Sequence, residues 1–587
     1  MTSVDQSRSD IIKATSEKSP PGPASQVCET YFRHLDDDEL RTAGPEHLSG
    51  IVRSHVSLAQ QRGDGEAKVR VFRPTRGTDG WTNSYAVLEV VTDDMPFLVD
   101  SVMAELTRHD RDVRLLVHPQ LRVRRGPTGE LFEIDPATDG DDTGVREESW
   151  IHMEIDLALN DEADERLERD LRRVLGDVRE AVEDWPKMRA AALSIVEDLG
   201  EHPPREVPQD ITDRTQEFLR WLADNHFTFL GYKEYVLDVV DGEDVLRSVP
   251  GTGLGVLRWD GANKSQSFSR LTGEARARAR EPELLILTKA NSRATVHRPA
   301  YLDYVGIKTF DEAGRVVGEK RFLGLYTSTA YTDPVRRVPV VRERVDKVLA
   351  RSGFDPHSHS GKDLMQVLET YPRDELLQTS SEQLHRMATG VARLGERRQS
   401  RLFLRRDDYG RFVSAMVYIP RDRYNTAARL RMEQILRDAY DAESVDYTTS
   451  VGESSLARLH FVVRVKPGTS IDEVDESKLQ DKIIEATHSW SERLAEQSRK
   501  EDGDDAAARM TSLYSRAFPE AYKEDFSPRQ GVADLKRLEA LQGADDTLLT
   551  LYREPGADER ERRFKLFRRS PLILTDVMPV FTDLGVS

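Results

Sequence analysis

The chain has 587 residues, too many for one hydrophobic core, and at ~100–200 residues per domain it calls for roughly three to five units. Hydrophobic residues make up 38% and charged ones 32%, a globular balance, and no apolar run approaches the ~18–20 residues of a membrane helix, so no membrane partner is expected. The formal charge of −19 argues against nucleic acid as a partner. A single cysteine, Cys28, excludes an internal disulfide and any multi-cysteine zinc site, and fits a reducing cytoplasm.

Residues 1–26 lack the basic start and apolar core of a signal peptide and read as a disordered, Ser- and Pro-rich lead-in. Tyr85 to Val91 is β-rich, and beyond Asp93 and Asp94 the apolar residues Leu98, Val99, Val102, Met103 and Leu106 fall at helical spacing. Residues 113–125 and 149–157 read as strands, and 163–185 as a helix with Leu167, Leu171, Val174, Val178 and Val182 on one face. The order β-α-β-β-α is that of a split βαβ, ferredoxin-like unit, which a further strand would close.

Between 214 and 375 helical and β-like runs mix, as in an α+β connecting domain. A second copy of the first pattern then follows. Residues 400–406 and 411–419 form a hairpin across Asp407-Asp408-Tyr409-Gly410, 426–440 a helix, 445–450 and 456–465 strands, and 476–496 one long helix. Residues 498–545 read as a charged helical linker. A third copy starts with a strand at 564–568 and a helix over 572–584, capped by Gly585, before Val586 and Ser587 open a further strand. One strand and one helix do not bury a sheet, so the expectation is a truncated third unit; the alternative is a terminal strand and helix packed on an earlier domain.

Signs of catalysis are sparse. Gly251, Gly253 and Gly255 invite a nucleotide reading, but the following Val256 to Trp259 looks like strand and then turn at Asp260-Gly261, so a connection between strands is the better account. His357 and His359 lack a third ligand nearby, and no metal site is expected. Cys28 has no local base. Lys289, Arg293, His297 and Arg298 make a basic cluster that reads as a solvated face, the alternative being a patch that meets an acidic ligand or a neighbouring domain.

The turn Asp93-Asp94-Met95-Pro96-Phe97 is the best candidate for effector binding, with Asp93, Asp94, Met95 and Phe97 as its residues. Amide groups at a helix start suit a carboxylate, and the two aspartates suit an ammonium group, so together they match an amino-acid zwitterion. The competing account is purely structural: either Asp caps the helix, Pro96 sits in its first turn and Phe97 joins the core.

The segments YFRHLDDDEL (31–40), LEVVTDDMPFLVDSVMAEL (88–106), FLRWLADNHFTFLGYKEY (218–235) and FKLFRRSPLILTDVMPVFTDLGV (564–586) resemble, in content and order, the N-terminal region of the large bacterial NAD-dependent glutamate dehydrogenases. The resemblance implies an α+β, multidomain chain of repeated ACT-like units. They run as a first ACT-like domain with an N-terminal helical segment (27–200), an α+β connecting domain (201–395), a second ACT-like domain (396–498), a helical linker (499–560) and the start of a third ACT-like domain (561–587). It implies oxidative deamination of L-glutamate to 2-oxoglutarate and ammonium, with NAD bound by a downstream catalytic domain of the same chain. No position here matches that family's catalytic or nicotinamide-binding motifs, so no such residue is carried over, and a chain with this content alone is expected to be inactive. Regulation by an amino-acid effector and a homo-oligomer are implied as well. ACT domains often place a glycine at the turn after the first strand, where this sequence has Phe97. A stand-alone amino-acid sensor acting through a partner protein is the alternative function.

Overall fold

A computed structural model describes residues 7–136, 144–158, 160–240, 243–259, 280–394, 399–407, 410–452, 454–466, 471, 474–514, 516–543, 546–553, 562–571 and 573–583. The turn at Asp260-Gly261, residues Asp408 and Tyr409 of the hairpin loop, and Gly585 to Ser587 lie outside the described residues. The chain forms two compact units, Met1–Thr389 and Gly390–Ser587.

In the first unit the expected lead-in is ordered from residue 7 onward. Helix α1 (Arg8–Lys18) starts in a capping box between Ser7 and Asp10, and short helices α2 (Pro23–Gln26) and α3 (Cys28–Tyr31) lead to α4 (Asp37–Ala59). Ile11, Ala24, Cys28, Tyr31 and Phe32 bury themselves with Leu48, Ile51 and Val52 of α4. Enough apolar side chains recur among the Ser and Pro residues to anchor the segment, which composition alone conceals.

These helices cover one face of a six-stranded antiparallel sheet built from β1 (Lys68–Phe72), β2 (Ala86–Asp93), β3 (Val113–Val117), β4 (Gln120–Arg125), β5 (Leu131–Ile134) and β6 (Val145–Ile155). The order is β1-β2-β6-β4-β5, with β3 also paired to β6. Val87 and Val91 of β2 and Trp150 of β6 face the helical layer. The single strand expected at 113–125 is two, because the chain breaks at His118-Pro119; β3 pairs with β6 at Val113–Val117 and β4 pairs with it at Gln120–Arg124. Strand β1, where Val69 and Val71 alternate with Lys68 and Arg70, supplies the closing strand, and it precedes the unit instead of following it.

Helix α5 (Leu98–Arg108) follows β2, and α6 (Asp161–Glu201) follows β6. Helix α6 runs well past the expected end at Trp185, across Pro186, because Met188, Ala192, Ile195, Val196 and Leu199 continue its buried stripe. Its first half packs on α5 and β1, and its second half on α7 (Gln209–Trp221) and on the connecting sheet. That sheet comprises β7 (Phe227–Val240), β8 (Glu243–Ser248), β9 (Leu254–Gly255), β10 (Leu285–Arg293), β11 (Tyr301–Phe310) and β12 (Val316–Tyr326) in the order β10-β11-β12-β7-β8, with β9 on β7. A π-helical turn at Leu222–His226 joins α7 to β7. Helices α8 (Ser328–Thr332), α9 (Val341–Ser352), α10 (His359–Thr370), α11 (Arg373–Gln378) and α12 (Ser381–Ala392) follow, the unit boundary falling within α12.

In the second unit, β13 (Arg401–Arg406), β14 (Phe412–Pro420), β15 (Ala442–Ser450) and β16 (Leu456–Val465) form a sheet in the order β13-β14-β16-β15. Helices α13 (Thr426–Tyr440) and α14 (Glu476–Ala486) cover one face through Met432, Leu436, Leu479 and Ile483. The expected long helix over 476–496 is broken: Ser489 forms a capping box with Glu492 and starts α15 (Trp490–Asp502). Helices α16 (Asp504–Tyr514), α17 (Glu520–Asp525) and α18 (Pro528–Ala540) join α15 around Trp490, Leu494, Met510, Val532 and Leu535. Strands β17 (Thr547–Tyr552) and β18 (Arg563–Arg568) pair, and α19 (Leu574–Asp583) follows. All three repeats therefore begin alike: β1-β2-α5, β13-β14-α13 and β17-β18-α19 each run as an antiparallel pair and then a helix. Among the described residues no helix is long and apolar enough to cross a membrane.

Candidate functional site

Strand β2 carries its pairing through Asp93, opposite Glu148 of β6, and the Asp94 N–H still donates to Glu147 O at 3.0 Å. The two aspartates thus belong to the end of the ladder, and neither caps α5, whose N-cap is Phe97 with no side-chain hydrogen bond. The turn is closed by the backbone of Phe97, which adopts φ 72° and ψ 0°. This left-handed region costs a residue with a Cβ roughly 1–2 kcal/mol and favours glycine.

Each candidate residue has a definite setting. Asp93 is held by two guanidinium groups, Arg62 Nη2 at 2.5 Å from Oδ1 and Arg179 Nη2 at 2.7 Å from Oδ2. Burial would raise its pKa, but these arginines outweigh it and hold the carboxyl below the usual range. Behind it Arg62, Arg125 and Glu148 are fully buried, and the Trp150 indole donates to Glu148 Oε2 at 2.9 Å. Asp93 therefore ties the ends of α4 and β2 to α6. Asp94 is exposed and accepts from Ser149 Oγ at 2.6 Å and Gln120 Nε2 at 3.3 Å. Met95 is half-buried, as is Phe97.

The Phe97 ring lies 4.9 Å from the His297 ring, centroid to centroid. His297 follows β10, its N–H donates to Ser101 Oγ at 2.9 Å, and its Nδ1 sits 3.1 Å from Asp100. The start of α5 is thereby fastened to the connecting sheet. Beside this junction lies a pocket of about 280 Å³ bounded by the turn, α6, the π-helical turn and β7. Phe97 and Pro96 form its wall on the turn side, and Asn225, also in the left-handed region at φ 59°, forms its wall on the π-turn side. Periodicity marks helices and strands but says nothing of which loops meet, so the roles of Asn225 and His297 carried no signal in the sequence.

The remaining expectations resolve into structural roles. Of the basic residues at 289–298 Arg293 is exposed as expected, while Lys289, His297 and Arg298 are half-buried and engaged by other elements. Lys289 Nζ lies 2.6 Å from Asp303 and 2.8 Å from Asp374, and Tyr331 Oη donates to Asp374 at 2.7 Å. Arg298 donates to Tyr326 O at 2.9 Å and Arg293 to Pro299 O at 3.2 Å. Of the three glycines, Gly255 pairs with Gly231 of β7 and donates to Asp184 Oδ2 of α6 at 3.0 Å. A Cβ there would sit 2.2 Å from Leu230 O, and residues 256–259 are turn instead of the expected strand, so the run packs β9 against α6. His357 is exposed and His359 begins α10. Cys28 is buried, and burial raises its thiol pKa despite the Ser19 hydroxyl. Among the described residues Glu105, His109 and Asp170 are close enough together to hold a metal, but Arg108 pairs with Glu105 and Arg173 with Asp170, so cations already neutralise the carboxylates.

Five family models of glutamate dehydrogenase match the chain in succession: the ACT1 domain at 27–171, helical motif 1 at 338–397, the ACT2 domain at 401–491, helical motif 2 at 499–541 and the ACT3 domain at 546–587. The chain is 37% identical over 561 residues to an NAD-specific glutamate dehydrogenase of Pseudomonas aeruginosa, covering 95% of this chain and 34% of the relative. It is 34% identical over 591 residues to one of Halomonas elongata (99% and 36%), and 30% over 547 to one of Mycobacterium tuberculosis (91% and 32%). The chain spans about a third of the length of these curated relatives. With its ACT and helical-motif domains in that order over more than half its length, the chain belongs to the glutamate dehydrogenase family.

Proposed function

We propose that this chain is the regulatory and assembly part of an NAD-dependent glutamate dehydrogenase, which oxidatively deaminates L-glutamate to 2-oxoglutarate and ammonium, with NAD held by a catalytic domain downstream of these residues. The observation that carries the reading is the correspondence of the whole chain to about a third of each relative, through domains built as ACT-like sheets and helical motifs. In this reading residues 27–200 and 396–498 are ACT-like domains, 201–395 connects them, and the subunits form a cytoplasmic homo-oligomer. The third ACT-like domain starts earlier than the expected 561, at β17, because Thr547–Tyr552 pairs with β18, so the helical linker expected over 499–560 ends before that strand. An amino-acid effector acts at the turn carrying Asp93, Asp94, Met95 and Phe97. Because Asp93 is engaged by Arg62 and Arg179, the parts of that turn open to an effector are Asp94, Met95 and Phe97.

The test is glutamate-dependent NADH formation by purified residues 1–587 beside a protein that carries the same residues followed by a dehydrogenase domain. Activity confined to the longer protein is expected. Turnover by residues 1–587 alone would overturn the proposal.

A further inference from the structure

The pocket beside Phe97 has a composition that selects its occupant. The apolar residues of its lining include Phe97, Val182, Trp185, Phe227, Phe229 and Leu230, and none of the described residues that line it is charged. A carboxylate or ammonium placed inside would be buried without a partner, at a cost of several kcal/mol, which excludes L-glutamate, dicarboxylates and phosphates from its interior. At about 280 Å³ it falls just under the ~300–1,000 Å³ of pockets for drug-sized ligands and admits one ring or branched aliphatic group.

Three neutral polar side chains complete the lining, Asn225, Thr228 and Thr327. Thr327 is committed, donating to Asn225 O at 2.8 Å and capping α8 through the Ala330 N–H. Asn225 and Thr228 both line the pocket, and among the described residues neither the Asn225 amide nor the Thr228 hydroxyl has a hydrogen-bond partner. Two lining residues, Phe97 and Asn225, hold left-handed backbone, and Asn225 lies in a π-helical turn. Both features are costly for folding and concentrate at binding sites.

We propose that this pocket binds a small molecule by an apolar ring or branched group, with neutral hydrogen bonds to Asn225 and Thr228. Two sources offer that chemistry: an amino acid with an apolar side chain, its zwitterionic end left in solvent at the mouth, or an uncharged aromatic molecule. Binding rests on the pocket alone. Its regulatory consequence rests on the function proposed above, since a ligand here touches both Phe97 and the connecting sheet and so bears on how the first ACT-like sheet is fastened.

Isothermal titration of the 587-residue chain with L-phenylalanine, with indole and with L-glutamate tests the proposal. Saturable binding of L-phenylalanine or indole is expected, and which of them binds identifies the source. Val182→Trp, which fills the pocket, is expected to abolish that binding, while Asn225→Gly and Thr228→Val weaken it about three- to tenfold, each removing one hydrogen-bonding group. Asn225→Gly keeps the left-handed backbone and Thr228→Val keeps the side-chain shape, so these two decide the matter even if Val182→Trp fails to fold. Binding of neither probe up to millimolar concentration, or binding unchanged in all three variants, would overturn the proposal. An amino-acid response of the longer protein that persists when the pocket is filled would leave the regulatory reading standing and remove this pocket from it.

Discussion

Arg62 and Glu148 face each other at 2.8 Å with both side chains wholly removed from solvent. The same guanidinium reaches Asp93, and Arg125 shares the Glu148 carboxylate. Removing one member of such a group leaves the others buried and underpaired, which costs about 3–5 kcal/mol. Arg62→Leu is therefore expected to lower the stability of the first unit by about 3 kcal/mol, because Arg125 still serves Glu148. Urea unfolding followed by tryptophan fluorescence measures the loss, and a shift of the unfolding midpoint too small to resolve would contradict it.

His55 provides a pH dependence. In the neutral ring Nε2–H donates to Val90 O at 3.0 Å, because a carbonyl only accepts, and Nδ1 then accepts from the Tyr31 hydroxyl at 2.6 Å. Burial lowers its pKa to about 4 in spite of the nearby Glu89 carboxylate. The unfolded chain, titrating near 6.5, binds the proton first, so this stability is complete above pH ~6.5 and is lost as pH falls toward 4. The loss amounts to roughly 3 kcal/mol. His55→Gln keeps a donor and an acceptor and is expected to flatten the stability profile between pH 4 and 6.5.

Phe97→Gly and Phe97→Ala remove the same ring but differ at the backbone. With φ at 72°, glycine sheds the left-handed penalty and alanine keeps it. The alanine variant is expected to be less stable than the glycine variant by about 1 kcal/mol, the reverse of their order in a helix interior. Thermal melts of the two proteins side by side give the sign.

Lys289 stands between Asp303 and Asp374, both of which burial makes costly to charge. Lys289→Met is expected to cost roughly 3 kcal/mol, and adding Asp303→Asn to recover part of it, since the second change removes the charge that the first left unpaired. Additive losses in the double variant, read from urea midpoints, would show that the pair does not interact.

Gly255→Ala and Gly251→Ala separate a packing role from a turn role. Both glycines have positive φ, but only at 255 does an added Cβ meet backbone, 2.2 Å from Leu230 O. The expected losses are roughly 3 kcal/mol at 255 and about 1–2 kcal/mol at 251. Equal losses, measured by calorimetry, would argue that β9 is not wedged against β7.

The repeat itself was legible in the sequence. Val87 to Val91, Leu98 to Leu106 and their counterparts at 412–419 and 426–440 carry local periodicities, and the side chains on one strand or helix face depend only on neighbours a few residues away. The split at Pro119 and the break at Ser489 are local as well, yet each competes with an apolar pattern that runs straight through it. What only the tertiary structure decided is which surfaces meet. Asp93 reads as a cap and becomes an anchor because Arg62 and Arg179, 31 residues before it and 86 after it, converge on it. Lys289 reads as surface and is held inside because Asp374 comes from a distant helix. Phe97 and Asn225 wall one pocket across 128 residues of sequence. Charge pairing and cavity shape arise from contacts between remote segments, and no local pattern encodes their partners.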